Sequence, residues 1–341
     1  MAIGDGSELG YRSVAASRQE IVFGTSAGTA SNFFEFKSLS LAGNIEEMKD
    51  ASINSSRAYT RRFQMNKTVE GSVELNLHPV DGIDFLLHAF GGNITTTALS
   101  TGAYSHSIQV GESLLPAAST TYTSLTVDVR KGPTRAYKYT GLRVNQATFK
   151  GEIGQPVMAT YELVGKDFTA MSATTDGAVS FSAIRPFLFT DGKFQYASTG
   201  ALADTTTAAE KIISFELTIN NNLISDARNI GTNTVMDLPP GRRDVSLKLS
   251  MRVDTSTVYD RFLNGTQGGV VLQMTTNQSI AAQTAVYDLK FTLPRVFYKN
   301  GDIELSEDVL TVEPEITALK GDTTTAAYDI IATLQNATTT Y

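Results

Sequence analysis

Along most of the chain apolar residues alternate with polar ones, the period-2 signature of strands with one buried and one wet face. In 71–77 (GSVELNL), Val73, Leu75 and Leu77 share one face while Glu74 and Asn76 share the other. The segment 244–250 (DVSLKLS) repeats the device, with Val245, Leu247 and Leu249 inward and Ser246 and Lys248 outward. The same alternation predicts strands over 34–41, 105–110, 125–130, 148–153, 157–164, 212–219, 270–275, 286–293 and 309–316. Helical spacing is confined to two short stretches. In 81–89 (DGIDFLLHA) Asp81 is a suitable cap, Ile83, Leu86, Leu87 and Phe90 fall on one face, and Gly91-Gly92 ends the run. In 256–263 (STVYDRFL) Thr255 or Ser256 caps, Val258, Phe262 and Leu263 face one way, and Gly265 follows. The chain therefore reads as mainly β.

Each predicted helix follows a matching strand, which points to an internal repeat. VELNL (73–77) leading to GIDFLLHAFGG corresponds to VSLKL (245–249) leading to TVYDRFLNGTQGG. YTGLRV (139–144) before 151–167 corresponds to FTLPRV (291–296) before 301–322. Upstream, EFKSLSLAGNI (35–45) before SRAYTRRFQMNK corresponds to SFELTINNNLI (214–224) before DLPPGRRD. The first copy carries an extra Thr/Ser/Ala-rich loop at 93–123, a length change that a surface loop tolerates. Two tandem β-sandwich or barrel domains are expected, 1–180 and 181–341, each with one helix packed on its sheet and joined near 169–180.

The opening MAIGDGSELGYRSV, the strand FFEFKSLSL, the Arg-rich excursion EMKDASINSSRAYTRRFQMNK, the strand VEGSVELNL and the helix GIDFLLHAFGG together resemble the bacteriophage tail tube proteins, the major tail proteins of long-tailed phages. The resemblance covers residues 1–92 most directly and extends through the repeat to the end. Two features depart from the family pattern: EIVFGTSAGTASN after the first strand and the long loop at 93–123. The resemblance implies a self-assembling ring of tube-fold domains around an inner β-barrel, with six domains per ring. A two-domain chain then gives a homotrimeric, pseudo-hexameric ring; the alternative is a homohexamer in which the second half is decoration. It further implies stacked rings that enclose a tape measure protein, end at tail terminator and tail tip proteins, and conduct double-stranded DNA without binding it specifically. The implied location is the virion tail, with assembly in the host cytoplasm.

Composition narrows the choice further. The chain has 341 residues, 28 Lys plus Arg against 35 Asp plus Glu, and a formal charge of −7. That balance opposes tight sequence-independent capture of nucleic-acid phosphates and suits a bore through which DNA slides. The chain has no cysteine and only 3 histidines, His78, His88 and His106, so thiolate chemistry, disulfides and imidazole-based metal or triad sites lack parts. No catalytic, cofactor-binding or metal site is expected. Gly4, Gly6 and Gly10 do not have the spacing of a phosphate loop. There is no apolar leader at the N-terminus and no apolar stretch of membrane-spanning length, so no membrane insertion is expected.

Two sets of residues carry the functional expectation. Strand alternation nominates Glu70, Glu74, Glu152, Asp302 and Glu304 as lumen-facing, each with an outer-wall position as its alternative. The segment 42–68 runs from acidic to basic, through Glu46, Glu47 and Asp50 to Arg57, Arg61, Arg62 and Lys67, and its counterpart 220–243 ends in Arg242-Arg243. These are expected to form loops that reach the neighbouring ring, against the alternative of ordinary surface loops. Deleting 50–62 is expected to abolish tube growth while leaving a soluble fold. DTTTAA occurs at 204–209 and 322–327, each before an apolar run, and the second is read as the entry to a C-terminal arm that pairs with a neighbour. The rival readings are a phage or cell-surface β-sandwich binding module and a β-sandwich enzyme; the absence of tryptophan counts against the latter.

Overall fold

The computed structural model describes residues 12–26, 28, 30–53, 55–91, 93–111, 123–132, 135–171, 179–197, 211–253, 257–265, 267–281, 283–301, 303–304, 310–321, 328–339 and 341. The first half carries β1 (Val14–Glu20), β2 (Asn32–Phe34), β3 (Ser38–Leu39), β4 (Ala42–Lys49), β5 (Arg62–Asn76), helix α1 (Ile83–Phe90), β6 (Asn93–Ser100), β7 (Ala103–Gln109), β8 (Ser124–Lys131), β9 (Arg135–Glu152), β10 (Met158–Gly165) and β11 (Asp167–Met171). The second carries β12 (Gly192–Ala197), β13 (Ile212–Asn220), β14 (Asp244–Arg252), helix α2 (Thr257–Leu263), β15 (Gly268–Ser279), β16 (Val286–Tyr298), β17 (Ile303–Glu304), β18 (Thr311–Val312), β19 (Glu315–Leu319) and β20 (Ile331–Asn336). The protein is mainly β, as the alternation predicts. Among the described residues the strands join in one network of 20 that is not closed into a barrel.

Two long strands organise this network by changing partners midway. The first part of β9 pairs with β8 and β11; its second part pairs with β10 and β13. The change falls at Gly141, whose φ of +68° is a left-handed conformation that glycine adopts without a Cβ penalty. The buried Glu20 carboxylate accepts the Gly141 N–H at 3.2 Å and fixes the turn. β16 repeats the manoeuvre, pairing first with β15 and β20 and then with β19. There Pro294, without an N–H, stands between the two sets of partners.

The pairing order of the first half is β3 and β4 with β5, then β10, then β9, then β8, then β1. That of the second half is β13 with β14, then β19, then β16, then β15, then β12. The two series meet where β9 pairs with β13, Thr148 lying opposite Thr218. A sheet of eight strands thus runs β3, β5, β10, β9, β13, β14, β19, β16.

One apolar core serves both halves. Val73, Leu75, Phe149, Leu217, Leu247 and Phe291 belong to it together. Helix α1 lies inside it with all eight residues buried, and aromatic rings link the parts: Phe34 to Phe85 at 5.0 Å, Phe85 to Tyr161 at 5.4 Å, Phe149 to Phe291 at 4.9 Å. The expected cap on α1 is corrected. The N-cap is Gly82, in a left-handed conformation with no side-chain cap, because the Asp81 carboxylate instead accepts the N–H of Ser182. Asp84 and His88, also buried, complete the helix. Ser17, Gln19 and Asn32 donate to the Asp84 carboxylate at 2.6, 2.9 and 2.8 Å, so its burial leaves no oxygen unpaired.

Other expectations change as well. The strand expected over 34–41 is two short strands, β2 and β3, and the loop expected at 93–123 begins with a hairpin of β6 and β7. The strand expected over 309–316 is split into β18 and β19 by Pro314, which cannot donate to a ladder. The apolar run after 322–327 forms β20, which pairs with β7 and β16 of its own chain, not with a neighbour. The segment 42–68 is largely a two-stranded hairpin, β4 with the first half of β5. The caps expected for α2 lie outside the described residues.

Candidate assembly surfaces

One face of the eight-stranded sheet covers the core and the other is polar. Because cross-strand neighbours point the same way, a register row sets side chains from as many as eight separate segments side by side. One row reads Ser38, Glu74, Thr160, Thr148, Thr218, Ser246, Thr317, Phe297, a band dominated by hydroxyls. Toward the hairpin end follow Ser72, Glu162, Gln146, Asn220 and Asp244. On the other side lie Asn76, Met158, Lys150, Glu216, Lys248 and Glu315, with Lys299 beyond, its N–H donating to the Glu315 carbonyl at 2.8 Å.

Of the residues nominated as lumen-facing, Glu70, Glu74 and Glu152 all lie on this polar face. Asp302 lies outside the described residues, as does the side chain of Glu304. The sequence reading missed the hydroxyl band and the alternation of lysine and glutamate, since these are rows across strands. Its available signal was the non-core position of each alternating segment.

The hairpin carries most of the inter-ring candidates. Its charges are largely used within it: Arg62 reaches Glu47 at 3.1 Å, Arg61 reaches Asp50 at 4.0 Å, and Asn66 donates to Glu46 at 2.8 Å. Hydrogen bonds from the Ser52 hydroxyl and N–H hold the Asp50 carboxyl below its usual pKa. Arg57 is exposed near the tip. On the opposite face of the hairpin Met48 pairs with Phe63, and these two with Met65 are 48%, 44% and 41% exposed. At the base, Lys67 reaches Asp167 at 3.1 Å and lies over the Phe168 ring. Gly43 is required there, because a Cβ would lie 2.1 Å from that ring.

The segment 221–243 is placed beside the hairpin base: the Asn233 carbonyl accepts the Lys67 N–H at 2.8 Å, and Arg228 donates to the Lys67 carbonyl at 3.1 Å. Its two nominated arginines do not join the hairpin charges. Arg242 is exposed and accepts Asn222 at its carbonyl, whereas Arg243 grips both oxygens of Asp329 at 2.9 and 3.0 Å and donates to the Gly111 carbonyl at 3.1 Å. Arg143, unnoticed in the sequence, is buried where the halves meet. It donates to the carbonyls of Thr123 and Leu238 at 2.9 and 2.6 Å and pairs with Asp237 at 2.9 Å. Burial lowers its pKa, and Asp237 opposes that shift.

Two further facts bear on other chemistries. Among the described residues no group of three or more His, Asp or Glu is placed to hold a metal ion. Among them, too, no helix is long and apolar enough to cross a membrane. Comparison with curated proteins yields no match. The family model for phage tail tube proteins matches residues 10–332, nearly the whole chain: the protein belongs to the phage tail tube protein family.

Proposed function

We propose that this structural tail protein closes into a ring by pairing the two open edges of its eight-stranded sheet, that the polar face lines the bore, and that the hairpin joins one ring to the next. The observation that carries the reading is the recurrence of one pairing order in both halves, joined by the β9–β13 ladder. Among the described residues, no ladder is formed on the outer side of β3 or on the outer side of β16 beyond Val296. Unpaired edges invite strand addition, and a heterologous contact that repeats by rotation closes a ring. The recurrence supports two tandem domains, 1–180 and 181–341. Three chains then supply six domains, and the internal junction serves as template for the junction between chains. In that template Thr148 faces Thr218; the corresponding residues are Phe297 of one chain and Ser38 of the next.

The chain has no native cysteine, so an engineered pair reports this register cleanly. Facing residues of antiparallel strands stand about 4.5–5.5 Å apart at Cα, within disulfide reach. S38C/F297C is expected to give covalent dimers and trimers under oxidation, with the out-of-register pair S38C/R295C much weaker. A covalent ladder to six chains would support the hexamer instead. Assembled rings without cross-links would refute the edge pairing.

The hairpin contact between rings rests on its uncovered apolar side, since most of its charges are already paired. A two-stranded ribbon is marginal alone and gains from being covered. The tube so built encloses the tape measure protein, meets tail terminator and tail tip proteins at its ends, and passes double-stranded DNA. Assembly takes place in the host cytoplasm.

A further inference from the structure

The polar face places its lysines in an unexpected way. Lys150, on β9, is bridged to Glu216, on β13, at 2.8 Å. Lys248, on β14, stands opposite Glu216 on one side and opposite Glu315 on the other. Lys299 pairs with Glu315 at 3.4 Å. Positive and negative side chains therefore alternate across five consecutive segments in a single row, about one strand spacing apart. Lys37 is outside this alternation; it precedes β3, and its amine lies 3.1 Å from the Met158 sulfur.

We infer that Glu216 and Glu315 mask Lys150, Lys248 and Lys299, so that each lysine of the alternating row meets a passing polyanion with a carboxylate beside it. The inference rests on the polar face lining the bore. An exposed lysine contributes to duplex binding by displacing a condensed counterion from a phosphate. A phosphate approaching Lys150 or Lys248 meets a carboxylate about 5 Å to the side, inside the Debye length of about 8 Å at physiological salt, so attraction and repulsion nearly cancel. The neighbouring row carries only hydroxyls and one carboxylate on its six central strands, and hydroxyls hold no fixed charge. Alternation lets the sheet keep favourable cross-strand pairs without creating a strip of positive potential.

The test is E216Q, which removes a charge and keeps the shape. Unassembled chain is titrated against a fluorescein-labelled 12-base-pair DNA duplex and followed by anisotropy between 50 and 200 mM salt. E216Q is expected to bind about tenfold more tightly than wild type at 50 mM, with a log–log salt slope steeper by about one. E216Q/K150Q is expected to return to the wild-type value, which a general loss of fold would not produce. Equal duplex affinity for E216Q and wild type, with unchanged circular dichroism, would overturn the masking role. The bore reading is separated by T218C in assembled tubes. Reaction with a small maleimide but not with a 5-kDa polyethylene-glycol maleimide supports it, and equal reaction with both refutes it whatever E216Q does.

Discussion

Phe291→Ala tests whether the two halves can be separated energetically. The Phe291 side chain is fully buried on β16 of the second half, yet its ring lies 4.9 Å from Phe149 and 6.3 Å from Phe90, both in the first half. Its cross-strand neighbours are Leu272 and Ala332, so it stands where two ladders and helix α1 converge. Burying such a ring hides roughly 150–200 Å², which at about 25 cal/mol per Å² corresponds to about 4 kcal/mol. The unfilled space and lost ring contacts keep the expected loss in the range of about 3–5 kcal/mol. Urea unfolding of the unassembled chain by circular dichroism should show one transition whose midpoint falls while its slope stays constant. Hydrogen exchange should show protection falling together in 69–77 and 245–251. A loss below about 1 kcal/mol, or weakened exchange protection confined to 245–251, would refute the shared core.

M48S/F63S should leave rings intact but stop tube growth in electron micrographs, whereas E47Q/R62Q should leave tube length unchanged; the reverse pattern would assign the inter-ring contact to charge. Burial lowers the His88 pKa to about 4 from an ordinary 6.5, with the Asp84 charge opposing and the Arg143 charge assisting. The unfolded chain then binds the extra proton first, so stability is full above about 6.5 and falls by about 3 kcal/mol as pH drops to about 4. Burial moves His106 in the same direction. Melting temperatures of wild type and His88→Gln measured from pH 7 to 4.5 should show a flatter slope for the variant; parallel slopes would exclude His88 as the titrating group. Gly141→Ala should cost about 1–3 kcal/mol, because a Cβ there has both a left-handed φ and a 2.6 Å approach to Lys166; an unchanged melting temperature would show that β9 bends without help from glycine.

The alternation of apolar and polar residues was enough to determine that the chain is mainly β, where most of its strands lie, and that helices follow 73–77 and 245–249. It was also enough to nominate Glu70, Glu74 and Glu152 for one kind of surface, because period 2 decides which residues of a strand share a face. Periodicity is local, however, and carries no information about partners. That β9 and β16 change partners at Gly141 and Pro294, that β20 stays within its own chain, and that Arg243 serves Asp329 instead of the hairpin all depend on contacts between residues far apart in sequence. The same is true of the alternating lysines and glutamates, which come from separate segments and become neighbours only once the ladder registers are fixed. A strand can compute its own faces from its sequence; which charges stand beside it is decided by register, and register belongs to the assembled sheet.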